Sequence, residues 1–141
     1  MRYFALAFMV LAFAACIASH PGAAQNATDH AASVPAQSID GGAGPCAVTL
    51  TALSDSKPVV AADVKVHIEY GFAGIRRLDL EAYTGNDGKV QFTGLPSRVH
   101  RPPLQFQASK ADLAGTAVYN PETECQATHE IFLTRKKQEE N

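Results

Sequence analysis

The sequence predicts an all-β protein with one β-sandwich domain of about seven short strands. Apolar and polar residues alternate in several short segments between residues 46 and 133, which is the period-two pattern of half-buried strands. Clusters of Gly, Pro, Asn and Asp separate these segments and predict turns. Sequence repeats of the length used by solenoids and propellers are missing from the chain. Regularly spaced short strands without a convincing helix favour a sandwich.

The first strands follow from this alternation. Residues 46–53 form one predicted strand, residues 63–70 form the clearest one, and residues 75–83 alternate again after the break at Gly71–Gly74. A helix is the alternative for 75–83, but the period of two in its charged residues favours a strand. The residues expected to face the core in these segments are Cys46, Val48, Leu50, Ala52, Val64, Val66, Ile68, Tyr70, Leu78, Leu80 and Ala82.

The stretch Thr84–Pro96 lies in the middle of the predicted domain and combines a turn, a strand and a stop. Asn86, Asp87 and Gly88 tolerate the left-handed backbone that tight turns require. Val90 and Phe92 then share one face of a short strand. Gly94-Leu95-Pro96 ends it, because proline cannot donate a hydrogen bond to a strand ladder.

The C-terminal half continues the pattern with weaker signals. Residues 104–108 and 128–133 alternate and are predicted strands, residues 115–119 form a shorter one, and Asn120-Pro121-Glu122-Thr123 forms a turn. Residues 109–114 are interpreted as a loop with room for a helical turn.

The N-terminus is typical of an export signal. Arg2 precedes an almost unbroken apolar run over residues 3–18, and Gly22-Ala23-Ala24 fits a cleavage site of small residues. We therefore expect a signal peptide at 1–24 and a periplasmic or secreted product. A membrane anchor is the alternative. A second alternative is a lipoprotein anchored through Cys16, because Phe13-Ala14-Ala15 before that cysteine resembles an imperfect lipobox.

The rest of the chain divides by composition. Residues 25–44 are rich in Ala, Ser, Gly and Asn and predict a flexible linker. Residues 45–134 are the predicted sandwich, and residues 135–141 form a polar tail. The net charge of -2 gives no argument for nucleic acid as a partner.

Cys46 and Cys125 are the two cysteines that remain after removal of the signal. An even number of cysteines in an exported chain predicts a disulfide bond. The alternative is a metal pair, but two isolated cysteines without a nearby histidine make a poor zinc site.

Several motifs resemble the carboxypeptidase-regulatory-like and transthyretin-like domains of exported bacterial proteins. The likeness covers roughly residues 45–133 and is carried by four short motifs: Val48-x-Leu50-x-Ala52, Ser56-Lys57-Pro58-Val59, Ala62-Asp63-Val64-x-Val66, and Thr84-x-Asn86-Asp87-Gly88-Lys89-Val90-x-Phe92-x-Gly94-Leu95-Pro96. The resemblance implies an immunoglobulin-like or prealbumin-like sandwich. These motifs are structural signals and imply no activity.

Two kinds of protein related to this fold have known chemistry, and neither active-site pattern is present. Transthyretin-like hydrolases end in a Tyr-Arg-Gly-Ser-type motif, whereas this chain ends in Arg135-Lys136-Lys137-Gln138 and three further residues. Intradiol dioxygenases share a related sandwich and bind iron through two tyrosines and two histidines, including a His-x-His pair, which this sequence lacks. Neither activity is therefore expected, and no catalytic residue, cofactor-binding residue, metal ligand or cofactor is predicted.

The sequence predicts binding rather than catalysis. Aromatic residues beside glycines and clustered basic residues in loops mark the candidate partner-binding residues Tyr70, Phe72, Arg76, Arg77, Arg98, His100 and Arg101. We expect a non-catalytic exported domain that contacts an envelope protein or glycan, with a membrane as partner only if Cys16 is lipidated. The alternative is a small periplasmic metal-binding or transthyretin-like enzymatic module that uses His67, His129 and Glu130. Asp79 and Glu81, which share a strand face, could in principle serve acid–base chemistry.

Overall fold

The computed structural model describes residues 34–137, which form ten strands and one 3₁₀ turn at Phe72–Gly74. The strands are β1 (Gln37–Asp40), β2 (Cys46–Ser54), β3 (Lys57–Pro58), β4 (Asp63–Tyr70), β5 (Arg76–Tyr83), β6 (Lys89–Leu95), β7 (Leu104–Lys110), β8 (Leu113–Tyr119), β9 (Gln126–Phe132) and β10 (Thr134–Arg135). Within this part of the chain, no helix has the length and apolar character needed to cross a membrane. The predicted signal peptide and Cys16 lie outside the described residues.

The strands form two five-stranded sheets, which confirms the predicted β-sandwich. In the first sheet β6 lies between β1 and β2, and β2 also pairs with β3 and β9. The second sheet has the order β10-β8-β7-β4-β5, with every neighbouring pair antiparallel. The three strands beyond the expected seven are β1, β3 and β10. They have four, two and two residues, too few to give a recognisable alternation.

The core lies between the two sheets and is filled by the residues that the alternation identified. Phe92 of the first sheet packs against Phe106 of the second, with ring centroids 5.0 Å apart. Phe106 in turn contacts Tyr119 edge to face at 6.3 Å. The fully buried side chains that surround these rings include Val48, Leu50, Val64, Ile68, Val90, Leu95 and Ile131. The inward faces of β2, β4, β5 and β6 are therefore as predicted.

The stretch Thr84–Pro96 adopts the predicted turn, strand and stop. The N–H of Gly88 donates to the carbonyl of Gly85 over 2.9 Å, and Gly88 has the left-handed φ of 73°. Val90 and Phe92 are completely buried, and β6 ends at Leu95, immediately before Pro96.

The predicted flexible linker at 25–44 is wrong for its second half, because β1 pairs in parallel with β6. Backbone hydrogen bonds extend this contact, including one from the N–H of Gly41 to the carbonyl of Thr93 over 2.8 Å. Gly94 makes the close approach feasible: a Cβ at this position would lie 1.8 Å from Oδ1 of Asp40. Because the backbone holds this segment and only Ile39 packs on the core, the sequence shows no apolar period here.

The C-terminal predictions also need two corrections. Residues 109–114 form a tight hairpin between β7 and β8 instead of a loop with a helical turn. The turn was missed because Ala111 adopts the left-handed conformation (φ 51°) that glycine usually supplies. The predicted polar tail at 135–141 begins one residue too early, since Arg135 belongs to β10 and pairs with Leu113.

The predicted disulfide between Cys46 and Cys125 is present, with the two Cα atoms 4.6 Å apart. Cys46 begins β2, and Cys125 directly precedes β9, the parallel neighbour of β2. The bond therefore ties the first long strand to the last one within a single sheet.

Candidate functional site

The outer face of the second sheet carries a recess of about 580 Å³ over β4, β5 and β7. Its polar lining follows from the alternation of β4: Val64, Val66 and Ile68 point into the core. Lys65, His67 and Glu69 consequently point outward. The neighbouring strand β5 adds Asp79 and Glu81, and β7 adds Gln105 and Gln107.

His67 is held between two carboxylates in this recess. It lies directly opposite Asp79 in the antiparallel β4–β5 pair. Its Nδ1 is 2.5 Å from Oδ1 of Asp79. Its Nε2 lies 3.7 Å from Oε1 of Glu69, which is also 3.9 Å from Nε of Arg77. The imidazole is thus oriented through one nitrogen, while the other faces a carboxylate at a distance longer than a hydrogen bond.

The pKa of His67 is raised above its ordinary value of 6.5. The largest cause is the hydrogen bond with Asp79, and the charges of Asp79 and Glu69 add to it, whereas desolvation acts in the opposite direction. The protonated form of His67 is therefore favoured, with Nδ1–H donating to Asp79 and Nε2–H available in the recess.

Lys65 is engaged by acidic neighbours. Its Nζ lies 3.2 Å from Oδ2 of Asp63 and 3.8 Å from Oε2 of Glu81. The hydrogen bond with Asp63 is the main reason that the pKa of Lys65 is raised. Tyr83 donates to Oε1 of Glu81 over 3.2 Å, and this hydrogen bond raises the pKa of Tyr83. Lys65 is thus largely neutralised by protein carboxylates.

The connection between β6 and β7 closes one end of the recess with His100, Arg101 and Pro103. The N–H of His100 donates to the carbonyl of Glu69 over 2.7 Å, which fixes this connection beside β4. Arg101 adopts a left-handed backbone (φ 59°), and its guanidinium forms no ion pair with any residue in the range 34–137. A non-glycine residue in this conformation carries backbone strain, and such strain is concentrated at functional sites.

Most of the predicted partner-binding residues lie together at this same end of the sandwich. Tyr70, Arg76, Arg98 and His100 line a second recess of about 420 Å³. Phe72 lies on the 3₁₀ turn. Arg77, on β5, lies near Glu69 of β4, and Arg101 lines the first recess. The juxtaposition of these loops agrees with the sequence-based expectation, but their role in partner binding stays a prediction.

The alternative site of His67, His129 and Glu130 does not assemble. His129 lies on β9 in the first sheet, where its Nε2 is 2.7 Å from Oε1 of Glu124 and its ring packs against Tyr119. His67 lies on the second sheet. Among residues 34–137, no cluster of three or more His, Cys, Asp or Glu side chains could hold a metal ion.

The pairing of His67 with Asp79 was missed by sequence analysis, which grouped each residue with different partners. A signal for it exists in the chain. The break at Gly71–Gly74 lies between two predicted strands that can form a hairpin. In a hairpin centred on Ala73, residues at equal sequence distance from Ala73 pair with each other, and His67 and Asp79 are such a pair. Both residues also occupy the outward phase of their strands, so they meet on one face.

Comparison with protein-family models and with curated proteins finds no match. The resemblance to carboxypeptidase-regulatory-like and transthyretin-like domains therefore stays a prediction. Among solved structures, the fold is similar to hydroxyquinol 1,2-dioxygenase from Pseudomonas putida DLL-E4, with 13% identity, coverage of 73% of this chain and 62% of that chain, and a TM-score of 0.46. It is also similar to mercury-inhibited catechol 1,2-dioxygenase from Acinetobacter sp. ADP1, with 14% identity, coverage of 72% and 59%, and a TM-score of 0.45. The chain spans about three fifths of the length of each.

Both similar structures are of enzymes, whereas the sequence led us to expect a non-catalytic domain. The likeness concerns the arrangement of strands. The His-x-His pair expected of an intradiol dioxygenase iron site is missing from this sequence.

Proposed function

We propose that the domain is a small enzymatic module that performs acid–base chemistry in the recess around His67. The observation that carries the proposal is the pairing of His67 with Asp79, with Glu69 at the second imidazole nitrogen. A histidine oriented by a carboxylate through Nδ1 is a suitable proton donor or acceptor at Nε2.

In the proposed reaction, His67 acts as the general acid and Glu69 as the general base in hydrolysis of a polar bond. The carboxylate of Glu69 accepts a proton from a water molecule as the water oxygen bonds to the electrophilic atom of the substrate. Nε2–H of His67 donates its proton to the leaving group. Asp79 is a positioning residue, since it holds the tautomer and favours the protonated imidazole without contacting substrate.

The substrate class follows from the charges in the recess. Lys65 is engaged by Asp63 and Glu81, whereas Arg101 has no ion-pair partner among the described residues. Arg101 is therefore the cation available for a carboxylate or phosphate group on the substrate. Gln105 and Gln107 supply amide donors and acceptors along the floor of the recess. We infer a small, polar, anionic substrate.

The proposed site of action is the cell envelope. The apolar N-terminal run and its small-residue cleavage motif support export. The disulfide between Cys46 and Cys125 is compatible with an oxidising compartment. Hydrolysis of a small anionic molecule by an exported protein is the function proposed for this chain.

The test is a turnover assay on the purified exported protein. Hydrolysis of esters and lactones releases a proton at neutral pH, so a pH-indicator assay can follow a panel of carboxylate-bearing substrates of these two classes. We expect turnover of at least one class, with a loss of roughly 100-fold or more in His67→Gln, because general acid–base catalysis contributes about that factor. Glu69→Gln should show a comparable loss.

The matched control is Glu130→Gln, which changes an exposed carboxylate on β9 of the first sheet, away from the recess. This variant should retain full turnover. Equal turnover by wild type and His67→Gln would contradict the proposed function, as would the absence of hydrolysis across the panel.

A further inference from the structure

Two large apolar side chains protrude from the connection between β4 and β5. Phe72 is 89% exposed and Ile75 is 74% exposed, the highest values for large apolar residues in the range 34–137. Phe72 begins the short 3₁₀ turn at Phe72–Gly74, and Ile75 directly follows it. Large apolar side chains that protrude together from a surface mark a site of contact with a protein or a membrane.

Arginine side chains surround the base of this protrusion. Arg76 and Arg77 follow it on β5, and Arg98 and Arg101 come from the neighbouring β6–β7 connection. Arg76, Arg98 and Arg101 form no ion pair with any described residue, whereas Arg77 lies 3.9 Å from Glu69. Arg76 and Arg98 also line the recess of about 420 Å³ with Tyr70 and His100.

The two connections are held together as one surface. Tyr70 and Val99 form an antiparallel bridge, and the N–H of His100 donates to the carbonyl of Glu69. Gly74 packs so closely on the His100 ring that a Cβ would lie 2.7 Å from it. The protruding apolar pair and the arginines are thus presented by the same end of the sandwich.

We propose that this end of the domain docks on an anionic lipid surface. Phe72 and Ile75 enter the boundary between headgroups and acyl chains, and Arg76 and Arg98 contact lipid phosphates. The acidic side chains that share a recess with Arg101 are mostly engaged by other basic groups: Glu69 faces Arg77, Asp79 faces His67 and Glu81 faces Lys65. Glu122 lines a shallow depression with Arg98.

The shape of the surface favours a lipid bilayer over an acidic protein. An acidic protein partner would need a pocket for the protruding Phe72 and Ile75, whereas a bilayer accepts protruding apolar side chains without a matching cavity. The proposed docking requires no lipid on Cys16 and is independent of the chemistry proposed for His67.

The test uses the absence of tryptophan from the chain. In the purified exported protein, Phe72→Trp provides a single tryptophan, which can be excited selectively, at the proposed contact. Its emission should shift to shorter wavelength with vesicles of equal parts phosphatidylcholine and phosphatidylglycerol. Vesicles of phosphatidylcholine alone should give a much smaller shift. Phe132→Trp is the matched control, because Phe132 is 62% exposed on β9 of the first sheet, and its emission should not change.

A second experiment removes the positive charges of single arginines. In the Phe72→Trp background, Arg76→Gln and Arg98→Gln should each weaken vesicle binding roughly fivefold. Lys89 begins β6 and Lys110 ends β7, so both exposed lysines lie at the strand ends away from the β6–β7 connection. Lys89→Gln and Lys110→Gln should therefore leave vesicle binding unchanged.

Three results would overturn the proposal. The first is the absence of a shift at position 72 with anionic vesicles. The second is an equal shift at position 132, which would show that the contact is not confined to the proposed surface. The third is a shift produced by polyglutamate but not by vesicles, which would identify an acidic polypeptide as the partner.

Discussion

Thr84 is the one polar side chain buried in the core cluster of the described residues, and its removal should be costly. Its Oγ1 accepts a hydrogen bond from the N–H of Ala62 over 2.9 Å and donates one to the carbonyl of Val59 over 2.5 Å. Thr84→Val keeps the shape of the side chain but removes both hydrogen bonds. We expect a large loss of stability because the backbone groups left behind are buried.

The magnitude follows from the two groups that lose their partner. Leaving a buried donor or acceptor unsatisfied costs about 1–3 kcal/mol, so the two groups together should lower the free energy of unfolding of Thr84→Val by about 2–6 kcal/mol. Thr84→Ser is the control, since it keeps the hydroxyl and removes one methyl group. Its cost should be about 1 kcal/mol.

Urea denaturation of the two variants and the wild type measures these differences, and thermal unfolding provides a second readout. For a domain of this size, 1 kcal/mol corresponds to a change in Tm of about 4 °C or more. Thr84→Val should therefore unfold at least about 8 °C below the wild type. A Thr84→Val variant within about 0.5 kcal/mol of the wild type, or equal costs for Val and Ser, would refute the reasoning.

Three further predictions concern the disulfide, the N-terminal strand and the site histidine. Reducing the bond that closes a sequence separation of 79 residues should cost about 4 kcal/mol in urea denaturation. Gly94→Ala should destabilise more than Gly42→Ala: both glycines have a left-handed φ, but only at Gly94 would a Cβ meet other atoms. Asp79→Asn should have a lower free energy of unfolding than the wild type at pH below 6.5, where His67 is protonated and benefits from the Asp79 carboxylate. Urea denaturation at a series of pH values should show this difference in the free energy of unfolding disappear as pH rises through the raised pKa of His67.

The fold was predictable from the sequence in strands whose side chains alternate between buried and exposed positions. Val64, Val66 and Ile68 alternate with charged residues on β4, and this single pattern fixes both the core face and the outward position of His67. The strands β1 and β10 were not predictable in this way. They are held by backbone pairing to β6 and β8, and backbone hydrogen bonds leave little trace in the order of side chains.

The candidate site was predictable only in part for a related reason. The clustering of Tyr70, Arg76, Arg98 and His100 follows from loops that meet at one end of a sandwich. The pairing of His67 with Asp79 depends on the exact register of β4 against β5. Register is a property of two strands together, so no single segment reveals it.

The pH dependence of turnover in wild type and Asp79→Asn tests the central claim most directly. With His67 as general acid, the rate on a substrate identified by the panel should fall as pH rises through the raised pKa of His67. Because the hydrogen bond with Asp79 is the main cause of that raised pKa, the fall in Asp79→Asn should move to lower pH. An unshifted profile, or a profile that persists in His67→Gln, would contradict the assignment of His67 as the acid.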